Sequence, residues 1–149
     1  MRYLHRGTAV SDVRITVSER HGRRCASSGA RWEPIVGYSR AVRAGNLVAV
    51  TGTVGINADG TYAPSVSEQT RRALEIIGAA LEALGARLEH VIRTRMFVTD
   101  ISRWEEVAAA HGKVFGEIRP ATTLVEVARL IDADAQIEIE ADAMVPPDA

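Results

Sequence analysis

Only two stretches of this 149-residue chain carry helical periodicity, and that shortage decides what the remaining residues can become. The first opens at Ser65-Val66-Ser67-Glu68, a Ser-x-x-Glu box that satisfies free backbone N–H groups at a helix start. Its apolar stripe is Val66, Ala73, Leu74, Ile77, Leu81 and Leu84, spaced near 3.6 residues, and Gly85 supplies the stop. The second opens at Ser102-Arg103-Trp104-Glu105, carries Trp104, Val107, His111, Val114 and Phe115 on one side, and stops near Gly116. Around them lie strand-like runs: 35–43 and 46–54 about an Ala44-Gly45-Asn46 turn, then 91–98, 122–130 and 136–145.

The order β-β-α-β-α-β-β predicts a two-layer α+β domain, a mixed sheet with both helices on one face. Two helices cover one side of such a sheet. Strand parity assigns Arg93, Arg95, Thr122, Leu124, Glu126, Glu138 and Glu140 to the other side, with Ile92, Met96 and Val98 facing the helices. That side is too polar for a core and too rich in both signs of charge for plain solvent surface. Self-association about a symmetry axis, with polar clefts in the seams, resolves the conflict.

Composition narrows the function classes. No apolar run reaches the roughly 20 residues of a membrane-spanning helix. The single Cys25 excludes an internal disulfide framework and suits a cytoplasmic protein. His5, His21, His90 and His111 show no metal-ligand spacing, so no metal is expected. The net charge of −1 gives no bulk attraction for nucleic acid. Residues 1–31 hold seven arginines against Asp12 and Glu19, a balance of +5 that leaves −6 on the rest. This segment reads as a basic, partly flexible arm ahead of a folded domain over 32–149, although the alternation at 13–17 suits an edge strand. Neither a phosphate loop nor a Gly-x-Ser-x-Gly elbow is present, and no cofactor is implied. His111, flanked at helical spacing by Val107, Val114 and Phe115, reads as a histidine packed at the sheet edge. Glu126 and Glu138 read either as salt-bridge partners of Arg93, Arg95 or Arg129, or as carboxylates whose burial between subunits raises a pKa or fixes a water.

The run from Ile118 to Leu130 (Ile-Arg-Pro-Ala-Thr-Thr-Leu-Val-Glu-Val-Ala-Arg-Leu), followed by Ile137-Glu138-Ile139-Glu140-Ala141, resembles the C-terminal signature of the RidA/YjgF family, also known as endoribonuclease L-PSP. Gly37-Tyr38-Ser39, Leu47-Val48-Ala49-Val50-Thr51-Gly52 and Arg95-Met96-Phe97-Val98-Thr99-Asp100 add to the likeness, which covers residues 32–145. The resemblance implies a chorismate-mutase-like subunit in a homotrimer, with ligand clefts between subunits and no cofactor. It implies hydrolysis of reactive enamines and imines to a keto acid and ammonia. By position, Glu138 matches the glutamate that places the attacking water, and Tyr38 and Thr51 match pocket residues. Thr122 stands where the family has a carboxylate-binding arginine, Leu124 where a cysteine is frequent, and Ala108 where an asparagine is frequent. Thr123 beside Thr122 offers backbone to a carbonyl oxygen, and Arg119, Arg95 and Arg40 are the candidates to replace the missing cation. A threonine gives one neutral hydrogen bond where arginine gives two charge-assisted ones, a loss of about 1.5–3 kcal/mol. The reading is therefore an imine or enamine hydrolase with altered substrate choice, taking a carbonyl or imine metabolite less anionic than a 2-imino acid. The alternatives are a trimer that binds a small molecule without turnover and, less favoured by the −6 body and 5% aromatic content, an RNA-binding or endoribonuclease-like protein.

Overall fold

A computed structural model describes residues 12–148; what the sequence suggests for residues 1–11 lies outside them. Seven strands form one sheet: β1 (Thr16–Arg20), β2 (Arg23–Ser27), β3 (Ala41–Ala44), β4 (Leu47–Val54), β5 (Val91–Val98), β6 (Ala121–Glu126) and β7 (Ile137–Met144). Their order across the sheet is β1-β2-β3-β4-β7-β5-β6. Every pairing is antiparallel except β5 with β6, which the second helix joins as a parallel crossover. The helices are α1 (Val66–Ala83) and α2 (Trp104–Phe115), and they pack on each other over one face. The expected α+β architecture is present.

Alternation decides which strand face is core. In β7, Ile137, Ile139, Ala141 and Ala143 are at most 1% exposed, whereas Glu138, Glu140 and Asp142 are half-buried on the other face. Every predicted stripe residue of α1 is buried, joined by Gln69, Thr70, Ile76 and Ala80. Ser65 caps that helix through the Glu68 N–H at 3.1 Å, and its hydroxyl donates to the Glu68 carboxylate at 2.8 Å.

Several expectations are corrected. The strand proposed for 35–43 begins only at Ala41, because Glu33–Gly37 form a π-helical turn. Strand β6 ends at Glu126 rather than at residue 130. The start of α2 is not a Ser102 box: Ser102 donates its own hydroxyl and N–H to Asp100, which caps a short 3-10 turn ahead of the helix. Trp104 is 51% exposed and Ala110 takes its place on the buried stripe. Ile92 is likewise exposed, since a bulge in β5 between Val91 and Arg93 turns it out of the alternation.

The segment 16–27, expected within a loose arm, is a hairpin built into the sheet. Its arginines explain why. Arg24 on β2 lies opposite Arg43 on β3, and the two guanidinium groups reach the end of α1: Arg43 donates to the Leu84 carbonyl at 2.7 Å and Arg24 to the Ala83 carbonyl at 3.1 Å. Cations there satisfy free carbonyls and complement the helix dipole.

Parity on β6 is the reverse of that expected. Strand β6 runs in register with β5 as Thr94↔Thr122 and Met96↔Leu124, so Thr122, Leu124 and Glu126 share the helix side with Thr94, Met96 and Val98. Leu124 packs against the core, and Glu126 accepts the Ile101 N–H at 3.1 Å. Thr123 and Val125 take the helix-free side beside Arg95 and Phe97. The Ile92 bulge and the pairing of β6 with β5 rather than with β7 are long-range facts that alternation alone does not carry.

Gly55, just past β4, has the backbone of α1 in the place of a side chain: an added Cβ would lie 2.7 Å from the Gln69 Cα and carbonyl carbon. Gly78 within α1 has room, with Leu88 at 3.8 Å. Gly55→Ala is expected to cost about 1–3 kcal/mol, because helix and strand must separate. Gly78→Ala is expected to stabilise by about 0.5–1 kcal/mol through helix propensity. Urea unfolding of the two variants against wild type measures both signs.

Candidate functional site

A bulge in β4 builds the site. The β4–β7 register shifts between Val50 and Thr53, leaving Thr51 and Gly52 opposite no regular partner. Glu138 on β7 fills the space over Gly52, where any added Cβ would overlap its carboxylate and stand 2.9 Å from its Cδ. Glycine at 52 is thus the room in which the Glu138 side chain lies.

Under this bulge runs Arg40, 6% exposed. It donates to the Gly52 carbonyl at 2.9 Å, the Thr53 hydroxyl at 3.1 Å, the Ser28 hydroxyl at 3.3 Å and the Tyr38 hydroxyl at 3.2 Å. An arginine cannot accept, so the Tyr38 oxygen is the acceptor and its own proton is free to donate elsewhere. Thr51 donates to the Ser39 carbonyl at 2.7 Å, which leaves its lone pairs to receive a donor. Burial of Glu138 holds its carboxyl above the ordinary value of 4.5; repulsion from Glu140 adds to this, and Arg40 opposes it.

Tyr38, Arg40, Thr51, Gly52 and Glu138 line a cleft of about 680 Å³. Its outer wall is Trp32 and Val36 from the π-helical turn region, Arg72 and Ile76 from α1, and Ile131 with Asp132 from the loop before β7. Asp132 clips that loop in place, accepting from Arg31 at 2.8 Å and from Tyr62 at 2.7 Å. Burial, then the bond to Asp132, pushes the Tyr62 phenol well above its ordinary value, so it remains a donor. Gln69, fully buried on α1, holds the same loop through the Asp134 carbonyl and the Gln136 N–H. A glutamine on an apolar stripe gives no sequence signal of this role.

The structure brings together four of the residues read from the sequence, Tyr38, Arg40, Thr51 and Glu138. It does not bring Arg119, Thr122, Thr123 or Leu124 to them. These lie on or just before β6, the far edge strand, separated from β7 by β5. None of the three arginines considered as a replacement cation offers a free fork in the cleft. Arg40 is spent on protein acceptors, Arg95 pairs with Asp142 at 3.2 Å and Glu140 at 3.4 Å on the helix-free face, and Arg119 is exposed on a left-handed backbone (φ 55°) ahead of β6. Missed by sequence reasoning is the share of residues 12–32 in the wall: Asp12, Val13 and Arg14 line it, with Asp12 bound to Arg72 at 2.6 Å.

His111 is buried on α2 as expected, its ring 4.7 Å from that of Phe115, and burial lowers its pKa. Among the described residues, no group of His, Cys, Asp and Glu is placed to hold a metal ion, and no helix is long and apolar enough to cross a membrane.

A family model described as Endoribonuclease L-PSP matches residues 28–145. A 2-iminobutanoate/2-iminopropanoate deaminase of Salmonella typhimurium is 36% identical over 111 residues, covering 72% of this chain and 86% of the relative. The crystal structure of Rv2704, a YjgF/YER057c/UK114 family member from Mycobacterium tuberculosis, superposes with a TM-score of 0.77 at 51% identity, over 83% of this chain and 99% of that one. E. coli TdcF with bound serine gives a TM-score of 0.69 at 28% identity, over 73% and 88%.

Because the folded pKa of Glu138 lies above 4.5, the folded state binds more protons than the unfolded state between these values, and this group costs stability at neutral pH. Glu138→Gln is therefore expected to raise Tm at pH 7, with the gain shrinking as pH falls toward 4.5. Thermal melts of both proteins at pH 7 and pH 5 check it; a lower Tm for the variant at pH 7 contradicts the placement.

Proposed function

This chain belongs to the Endoribonuclease L-PSP (RidA/YjgF) family, and on that premise we propose that it hydrolyses a small imine or enamine in clefts between the subunits of a homotrimer. The observation that carries this reading is the Glu138 carboxylate, desolvated over Gly52 and flanked in one cleft by the Tyr38 and Thr51 hydroxyls. The burial that raises its pKa makes this carboxylate a stronger base toward water than a solvated glutamate.

In this reading, Glu138 takes a proton from a water whose oxygen bonds to the C=N carbon and passes that proton to the nitrogen as the C=N π bond opens. Glu138 next carries the carbinolamine hydroxyl proton to the nitrogen as the C–N bond breaks, releasing ammonia and leaving a carbonyl; an enamine enters the same route once its N–H proton has moved to its β-carbon to give the imine. Tyr38 donates to the developing polar group and Thr51 accepts from the nitrogen. No cofactor or metal takes part.

The trimer supplies the other half. The helix-free face carries exposed Leu47, Val125 and Met144 among its charges, a surface suited to burial against copies of itself. In such a trimer the edge strand β6 of one copy, with Arg119, Thr122 and Thr123 exposed on or just before it, meets the cleft of the next, while Leu124 stays packed in its own core. With Thr122 in the arginine's position, the substrate is less anionic than a 2-imino acid. We place the reaction in the cytoplasm. A second reading is binding without turnover: Arg40, the one arginine at the Glu138 bulge, is committed to protein acceptors and lends no charge to a reacting group, and E. coli TdcF holds serine.

The test supplies imines from an amino-acid oxidase and follows their decay. Wild type is expected to accelerate decay, and Glu138→Ala to lose about 10²–10⁴-fold of that acceleration. Thermal stabilisation by a keto acid with no accelerated decay selects the second reading; neither effect contradicts both.

A further inference from the structure

A chain of three hydrogen-bonding side chains runs from the core to the exposed edge of the sheet. The His111 Nε2 lies 2.9 Å from the Thr94 hydroxyl, and Thr94 lies 2.8 Å from the Thr122 hydroxyl. Thr122 in turn reaches the Pro120 carbonyl at 3.2 Å. Thr94 is fully buried, His111 is 9% exposed and fixed against Phe115, and Thr122 is exposed on β6.

We infer that His111 and Thr94 are positioning residues that set the hydrogen-bonding sense of Thr122, making it a receptor for a neutral polar group of the ligand (a carbonyl, amide or hydroxyl) rather than a carboxylate. This rests on the reading that β6 of one copy meets the cleft of another.

The argument is proton counting. Each hydroxyl has one proton and the neutral imidazole has one N–H. With Nε2 unprotonated, Thr94 donates to His111 and Thr122 donates to Thr94, so Thr122 has no proton left for the Pro120 carbonyl and offers only lone pairs to a ligand. With Nε2 protonated, His111 donates to Thr94, Thr94 to Thr122, and Thr122 donates to the Pro120 carbonyl or to a ligand oxygen. One proton on a buried ring therefore chooses whether the exposed hydroxyl gives or receives. Burying one threonine requires a single partner, which a backbone carbonyl four residues away supplies to Thr70 on α1 at 2.7 Å. Thr94 instead spans a core imidazole and an edge hydroxyl, on the strand pair that carries Thr122. A hydroxyl so held presents a short, uncharged contact and no second N–H for a bidentate carboxylate.

The experiment uses the full chain with 15N-labelled histidine, reading the His111 ring nitrogens by long-range proton–nitrogen NMR. The expected spectrum shows one tautomer in wild type and a shifted or mixed one in Thr122→Val, an exposed substitution that leaves the core intact. The probes are 2-oxobutanamide and 2-oxobutanoate, titrated by NMR. The amide is expected to bind at least fivefold tighter than the acid and to move the His111 signals. His111→Phe is expected to weaken amide binding at least fivefold, and His111→Gln, whose amide nitrogen mimics Nε2, to restore it. Unchanged His111 signals in Thr122→Val overturn the inference, as does a folded His111→Phe that binds the amide like wild type. If neither probe binds, the cleft reading fails, and the His111 response to Thr122→Val still decides the relay.

Discussion

Among the described residues, two helices against seven strands leave one whole face of the sheet without cover, and the consequences of that imbalance run through the molecule. On the helix side, Ile77, Leu81, Ile137 and Ile139 are fully buried, each contributing about 1.5–3 kcal/mol. On the other side, the same strands carry Arg93, Arg95, Glu138, Glu140 and Asp142, interrupted by Phe97, Val125 and Met144. Among the described residues nothing covers these groups. The fold is complete as a two-layer domain and incomplete as a surface.

The candidate site sits where that uncovered face meets a defect in pairing. The β4 bulge opens space at Gly52, Glu138 enters it, and Arg40 ties the bulged backbone to Tyr38 and Thr53 from below. Each element has a cost: a half-buried carboxylate beside Glu140, and an arginine out of water that must be bonded in almost every direction. Costs of this kind cluster at functional sites.

Periodicity made the helices, the β7 alternation and the one-sided packing legible, because these follow from local patterns of 3.6 and 2.0 residues. It failed where a long-range contact overrides the local pattern. Thr122 and Leu124 sit on the opposite face from the one expected because β6 takes its register from β5 across a helical crossover. The arginines of residues 23–24 looked like a charged tail and are part of a sheet hairpin, with Arg24 bound to the end of α1, a partner 59 residues away. Glu138, Tyr38 and Thr51 were legible through the family resemblance, whereas the work of Arg40, Gln69 and Gly52 is visible only in three dimensions.

The claim on which the functional account stands is that copies of this chain cover the helix-free face. Sedimentation equilibrium at micromolar concentration tests it directly. The account predicts a mass near three 16.1 kDa chains, about 48 kDa. A mass of one chain leaves that face in water and the cleft without its second wall, and contradicts the account.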